Sequence, residues 1–316
     1  MKKVVVTGPT GVIGSALIDK LVAEQVEVFA VCRPASKRLD TISKNSLVHI
    51  IECDIEKFAD LRELIGTNCD AFFNLAWAGT ESPLNRFDMY LQTQNIKYSL
   101  DAVKAAKDLQ CKVFVGAGSQ AEYGTHSGIM SPETFPDPVS GYGMAKLCAG
   151  QMTRYLCQQA GIRHIWPRIL SIYGVGDGNQ TLISSAIRSM LSGEKLSMTA
   201  GEQLWDYLYA GDVADALFAM AEKGKDGAVY VVGSGHVKPL KDYINIIRNL
   251  INPYIEIGFG DRPYFKDQVM HLEADISSLN HDTGWVPKTK FEDGIRRILQ
   301  DMRRNNSIYG EMDVGR

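Results

Sequence analysis

The chain has 316 residues, 45% of them apolar and 22% charged, and 34 lysines and arginines against 37 aspartates and glutamates leave a net charge of −3. That composition supports a substantial globular core in one large or two modest domains, and the charge gives neither nucleic acid nor an anionic membrane a reason to bind. Six scattered cysteines, with no Cys-x-x-Cys pair and no histidines at zinc spacing, argue against a disulfide framework and against a metal site.

From Met1-Lys2-Lys3 the chain runs straight into a short apolar stretch ended by Gly8, too brief for a signal peptide or membrane span, so a cytoplasmic location is expected. The pattern predicts a buried strand over 4–7, a helix over 14–24, strands over 26–32 and 47–53, and a short helix over 61–65. A strand over 71–76, a long helix over 87–109, a strand over 112–116, a second long helix over 142–159 and a strand over 163–169 follow. Strands alternating with helices imply parallel pairing through right-handed crossovers, hence an α/β, doubly wound parallel sheet of the Rossmann kind. Beyond Tyr173 come a glycine-rich stretch over 174–178, a helix over 181–192 and a return to the sheet through 208–221 and 228–232. A helix over 240–249, short extended pieces and a last helix over 291–303 complete the chain. The expected organisation is a dinucleotide-binding domain of residues 1–170, rejoined by 206–234, and a smaller C-terminal substrate-binding lobe of 171–205 and 235–316.

Between the first strand and first helix lies Thr7-Gly8-Pro9-Thr10-Gly11-Val12-Ile13-Gly14. Glycines at this spacing permit a tight turn, let the backbone approach a pyrophosphate and let helix pack on strand, while the helix N-terminus offers free N–H groups. Gly8, Thr10, Gly11, Val12, Ile13 and Gly14 are therefore expected to cradle a dinucleotide. The second strand ends in Arg33-Pro34, with Lys37 and Arg38 beyond and no acid before Asp40. An acid here suits the ribose hydroxyls of NAD and an arginine suits a 2′-phosphate, so Arg33 and Arg38 point to NADP, with NAD the alternative. Asp54 and Ile55 close the third strand, where the carboxylate either meets the adenine amine or caps a helix.

Tyr142-Gly143-Met144-Ala145-Lys146 opens a helix and puts Tyr142 and Lys146 one turn apart on one face. A phenol has a pKa of about 10 and is a poor acid–base catalyst near neutrality; lowering it by about 3 units requires roughly 4 kcal/mol, which a neighbouring ammonium would help to supply. Ser119 follows a strand, at the carboxyl edge where open α/β sheets place their sites, and would share a substrate oxygen with Tyr142.

With Asp54-Ile55, Asn74-Leu75-Ala76, Asn95, Ser119-x-x-x-Tyr123-Gly124, Pro167-Arg168, Tyr173-Gly174 and Asp212-Val213-Ala214 added in order, the chain resembles the extended short-chain dehydrogenase/reductase family in its nucleotide-sugar branch. The resemblance implies that Tyr142 is the acid–base, that Lys146 holds the ribose and tunes Tyr142, that Ser119 orients the substrate oxygen and that Asn95 shapes the helix behind the lysine. It further implies that Leu75, Ala76, Trp77, Pro167 and Ile169 lie along the cofactor. Ser119, Gln120, Tyr142, Ser171 and Arg262 would meet a nucleotide-sugar substrate, and the two long helices would pair into a homodimer.

Three departures narrow the reaction. Dehydratases of the family carry Thr-Asp-Glu where this chain has Ser119-Gln120-Ala121, so no carboxylate pair serves elimination, and the cysteine of the 3,5-epimerising reductases is also missing. An asparagine that often meets the substrate diphosphate is Ser171, and an arginine expected before Asp206 is Trp205, with Arg262 a candidate replacement. The reading preferred from sequence is NADP-dependent reduction of a 4-keto nucleotide sugar, with an NAD-dependent 4-epimerase as the alternative. A non-catalytic NADP sensor would gain nothing from the Ser119, Tyr142 and Lys146 set.

Overall fold

The computed structural model describes residues 1–80, 82–178 and 180–310; the end of the expected C-terminal lobe, beyond 310, lies outside the described residues. Seven parallel strands form the main sheet: β1 (Lys3–Thr7), β2 (Glu27–Cys32), β3 (Val48–Glu52), β4 (Ala71–Asn74), β5 (Val113–Gly116), β6 (Arg163–Ile169) and β7 (Ala228–Val232). Their spatial order is β7-β6-β5-β4-β1-β2-β3, with the two-residue strand Gly118–Ser119 pairing alongside the end of β6. The order reverses at β1, between β4 and β2, which opens a crevice at the carboxyl ends of these strands.

Alternation along β1 shows why the strands read as continuous apolar runs. Val4 and Val6 join the core on one face and Val5 the core on the other, all fully buried. On the first face lie α1 (Val12–Ala23), which supplies Leu17, Ile18 and Leu21, and α6 (Ala210–Lys223), which supplies Val213 and Leu217. On the second face lie α2 (Leu61–Ile65), α3 (Met89–Asp108) and α4 (Gly141–Ala160).

The remaining elements build a smaller body over the strand ends. Helices α5 (Leu182–Leu191), α7 (Leu240–Ile251) and α9 (Phe291–Gly310) share a core of Ile183, Ile187, Ile244, Ile247 and Ile295, capped by the ring cluster of Tyr173, Tyr207, Tyr243 and Phe291. Short α8 (Ser277–Thr283) packs Leu279 under the main sheet. A four-stranded sheet joins Lys238–Pro239, Leu204–Trp205 and His271–Ala274 to Gly128–Met130, a segment from the first half of the chain. Segment 208–221 places α6 beneath the sheet and 228–232 supplies its edge strand.

Candidate active site

The glycine turn is built by sterics. Gly8 has φ +68°, and a Cβ there would lie 2.9 Å from the Ala76 nitrogen; one on Gly14 would lie 2.2 Å from the Gly8 carbonyl oxygen. Gly11 is different: a Cβ there would meet only the Gly8 oxygen, at 3.5 Å. Gly11 caps α1 without a side-chain hydrogen bond, which leaves the first-turn N–H groups free for an anion. Thr7 ties the crevice together, donating to Asn74 Oδ1 (2.9 Å) and accepting from the Leu75 and Ala76 N–H groups (3.1 Å each). Gly174 seats the opposite wall, since a Cβ there would crowd Ala210 at 2.7 Å and Val12 at 3.1 Å. These close backbone approaches fit the pyrophosphate of a dinucleotide.

At the adenosine end, Arg33 stands exposed just past β2 and pairs with no described carboxylate. Arg38 instead donates to the Gly176 carbonyl at 2.7 Å, joining this loop to the 174–178 loop. Asp54 accepts from the Glu56 N–H at 3.4 Å as the N-cap of a 3₁₀ turn, the second of its two expected uses. With Pro34, Cys53 and Lys57 it lines a cavity of about 510 Å³.

The catalytic group assembles where α4, the turn after β5 and the loop after β4 converge. Ser140 caps α4 by accepting from the Gly143 N–H at 3.2 Å, placing Tyr142 and Lys146 in its first turns. Ser119 begins a 3₁₀ turn, and its hydroxyl accepts from the Ala121 N–H at 3.2 Å. Tyr142 is half-buried. Burial pushes its phenol above the ordinary value; the Ser119 hydrogen bond and the Arg86 guanidinium pull it down, and Glu122 pushes it up.

Lys146 is buried and donates to the Ala117 carbonyl at 2.7 Å. Its ammonium lies 3.7 Å from the Trp77 ring centroid and 5.7 Å from that of Tyr142. Burial lowers its pKa to about 7, with Glu122 opposing the fall. Asn95 is buried within α3. Its amide brackets Ala78, accepting from the N–H at 2.8 Å and donating to the carbonyl at 3.0 Å, and so braces the loop that carries Leu75, Ala76 and Trp77.

Two of the expected substrate residues meet. Ser171 donates to Gln120 Oε1 at 3.3 Å and accepts from Trp205 Nε1 at 2.8 Å, making an uncharged chain from the serine turn into the smaller body. Arg262 is exposed on the loop after Ile257–Phe259, tied by its main chain to the Met198 carbonyl at 3.2 Å. Pro167 and Ile169 are buried in β6, with Ile169 paired to Ser119.

Two residues around the site were not singled out from sequence. Glu122, fully buried, accepts from the Ser119 N–H (2.9 Å), Trp166 Nε1 (3.0 Å) and Arg168 Nε (2.8 Å). Ser119-x-x-Glu122 is a capping-box pattern and was legible as one. Arg86 lies with its guanidinium carbon 4.9 Å from the Tyr142 ring centroid, and no motif marks it.

Among the described residues no helix is long and apolar enough to cross a membrane. Comparison with known proteins matches this architecture. The chain is 28% identical over 328 residues to a putative UDP-glucose 4-epimerase of Methanocaldococcus jannaschii, covering 96% of this chain and 99% of that protein. It is 24% identical over 314 residues to the dTDP-4-dehydro-6-deoxyglucose reductase of Escherichia coli, covering 95% and 97% respectively. Among solved structures, the UDP-N-acetylglucosamine 4-epimerase of Methanobrevibacter ruminantium M1 superimposes with a TM-score of 0.87 at 24% identity, over 96% of this chain and 99% of that one. The fold is shared by RMD of Pseudomonas aeruginosa complexed with NADPH (TM-score 0.78, 23% identity, 95% and 99% covered) and by the UDP-glucuronic acid 4-epimerase of Bacillus cereus in complex with NAD (TM-score 0.81, 22% identity, 94% and 99% covered). Residues 4–233, a stretch of this chain that includes the glycine turn, the serine turn and the tyrosine helix, match the family model, and the chain belongs to the NAD dependent epimerase/dehydratase family.

Proposed function

We propose that the protein reduces a 4-keto nucleotide sugar with NADPH. The observation that carries the cofactor choice is Arg33, an exposed guanidinium just past β2 that pairs with no carboxylate among the described residues, where a 2′-phosphate would extend from the adenosine ribose. The first turn of α1 and Gly8, Gly11 and Gly14 would hold the pyrophosphate, and Lys146 the nicotinamide ribose. Bound NADPH supplies a hydride to C4 of the sugar. Tyr142 donates the proton to the oxygen at C4, and Ser119 holds that oxygen against it. Asn95 acts by fixing the Leu75–Trp77 wall. Gln120 and Ala121 offer no carboxylate, so this site serves hydride and proton transfer without elimination. Arg262 is a candidate cation for a substrate diphosphate.

A second reading, an NAD-dependent 4-epimerase, is favoured by the likeness to the epimerases of Methanocaldococcus and Methanobrevibacter. Fluorescence titration of NADPH and NADH separates the two. NADPH is expected to bind more tightly by about 10- to 150-fold, the value of one charge-assisted hydrogen bond, and Arg33→Ala to remove that margin while leaving NADH unaffected. Equal affinities in the wild type would leave Arg33 a loop residue and favour the epimerase.

The proposed assembly is a homodimer through α3 and α4. Met89, Met152 and Leu156 on these helices are 53%, 43% and 36% exposed, and a second copy would cover them. Light scattering that gives a monomer mass at every concentration would contradict it.

A further inference from the structure

Charged and polar groups face the Tyr142 phenol from every element around it. Lys146 faces it from its own helix, Ser119 and Glu122 from the serine turn, Trp77 from the loop after β4 and Arg86 from the 3₁₀ turn Pro83–Phe87. Lys146 is committed elsewhere, to the Ala117 carbonyl and the Trp77 face. Glu122 is held by Arg168 and Trp166. Of the two cations over the ring, Arg86 lies nearer, its guanidinium carbon 4.9 Å from the centroid against 5.7 Å for the Lys146 ammonium.

That placement is fixed by the fold, although Arg86 is exposed. Ser82 caps the turn by accepting from the Leu84 N–H at 3.3 Å. Asn85 donates to the Gly79 carbonyl at 3.2 Å, and its own carbonyl accepts from Gln92 Nε2 at 2.8 Å. Gln92 Oε1 in turn accepts from Trp77 Nε1 at 2.9 Å. The arginine turn is thereby fastened to the loop that forms the wall of the site.

We propose that Arg86 is a positioning residue for Tyr142, its guanidinium over the ring stabilising the phenolate that remains after the proton is delivered. The inference rests on the reading of Tyr142 as proton donor. A guanidinium over an aromatic face is favourable and becomes more so when the ring gains negative charge. Arginine also keeps its charge at every working pH, whereas Lys146, with a pKa of about 7, is only partly charged near neutrality.

The test is a spectrophotometric titration of the Tyr142 phenol in the NADP⁺-loaded protein, read as the near-ultraviolet phenolate difference between each protein and the same protein carrying Tyr142→Phe. Arg86→Gln is expected to raise the midpoint by about one unit, and Arg86→Lys, which keeps the charge without the planar guanidinium, by a smaller amount. A midpoint in Arg86→Gln that coincides with the wild type overturns the proposal. Should the glutamine variant fold poorly, coincidence of the lysine variant with the wild type has the same force. Full reductase turnover in Tyr142→Phe would sink the proton-donor reading instead, so the two failures are distinguishable.

Discussion

The carboxylate of Glu122 accepts the main-chain N–H of Ser119 at 2.9 Å, and through that bond a fully buried ion pair sets the position of the candidate catalytic serine. The same carboxylate meets Arg168 at 2.8 Å, and the Arg168 guanidinium carbon lies 4.7 Å from the Tyr123 ring centroid. Glu122→Ala would strand Arg168 as an uncompensated buried charge and is expected to cost about 3–5 kcal/mol. Chemical denaturation of the variant measures this; a loss below 1 kcal/mol would mean that the pair is solvated and dispensable.

Tyr142→Phe keeps the ring against Trp77 and Arg86 and removes only the hydroxyl. Turnover is expected to fall by about 10²–10⁴-fold, the range for loss of an acid–base group, with cofactor affinity nearly unchanged. Steady-state kinetics and a binding titration on one preparation check both halves. Near-normal turnover would remove Tyr142 from the mechanism.

Gly11 and Gly14 separate cofactor contact from folding. A Cβ on Gly14 collides with the Gly8 oxygen at 2.2 Å, whereas on Gly11 the nearest atom lies at 3.5 Å. Gly14→Ala is therefore expected to destabilise the fold by about 1–3 kcal/mol. Gly11→Ala should keep the wild-type melting temperature and lose dinucleotide affinity, because on the proposed assignment the backbone would approach the pyrophosphate there. If Gly11→Ala melts early and binds normally, the turn has been assigned the wrong way round.

The inner strands of the main sheet were legible in the sequence because runs such as Val4–Val6 and Ala71–Phe73 are apolar and buried on both faces, whereas edge strand β3 is half-exposed, with Ile50 42% exposed. Predicted strand 163–169 matches the observed bounds, and helix 87–109 differs only at its ends, where Asp88 caps the helix by accepting from Tyr90 and Leu91. The small four-stranded sheet was not predicted. Gly128–Met130 and Leu204–Trp205 are too short for a periodic signal and become strands only when His271–Ala274 lies between them. Within the site, Tyr142, Lys146 and Ser119 are marked by spacing and order. Arg86 and the Lys146–Trp77 contact are tertiary, because residues far apart in the chain meet only once α3, α4 and the loop after β4 have packed.

His164 gives the fold a pH dependence. It is 1% exposed, stacked between Phe114 and Trp166, and burial holds its pKa down at about 4 against 6.5 for the free side chain. Between those values the unfolded chain takes up a proton that the folded one refuses. Stability is thus complete above pH 6.5 and is lost progressively as pH falls towards 4, by up to about 3 kcal/mol. His164→Asn should flatten that part of the stability–pH curve. An equal slope in wild type and variant would assign the acid sensitivity to other groups.

In the proposed reaction the nicotinamide cofactor is consumed, once per sugar, rather than retained through the cycle. The direct measurement is the near-ultraviolet absorbance of NADPH during turnover of a chemically prepared 4-keto nucleotide sugar, with the product counted by chromatography. One NADPH is expected to be oxidised for each 4-hydroxy sugar formed, by protein purified without bound nucleotide. Interconversion of two 4-hydroxy sugars with no change in absorbance, by protein that retains NAD, would contradict it.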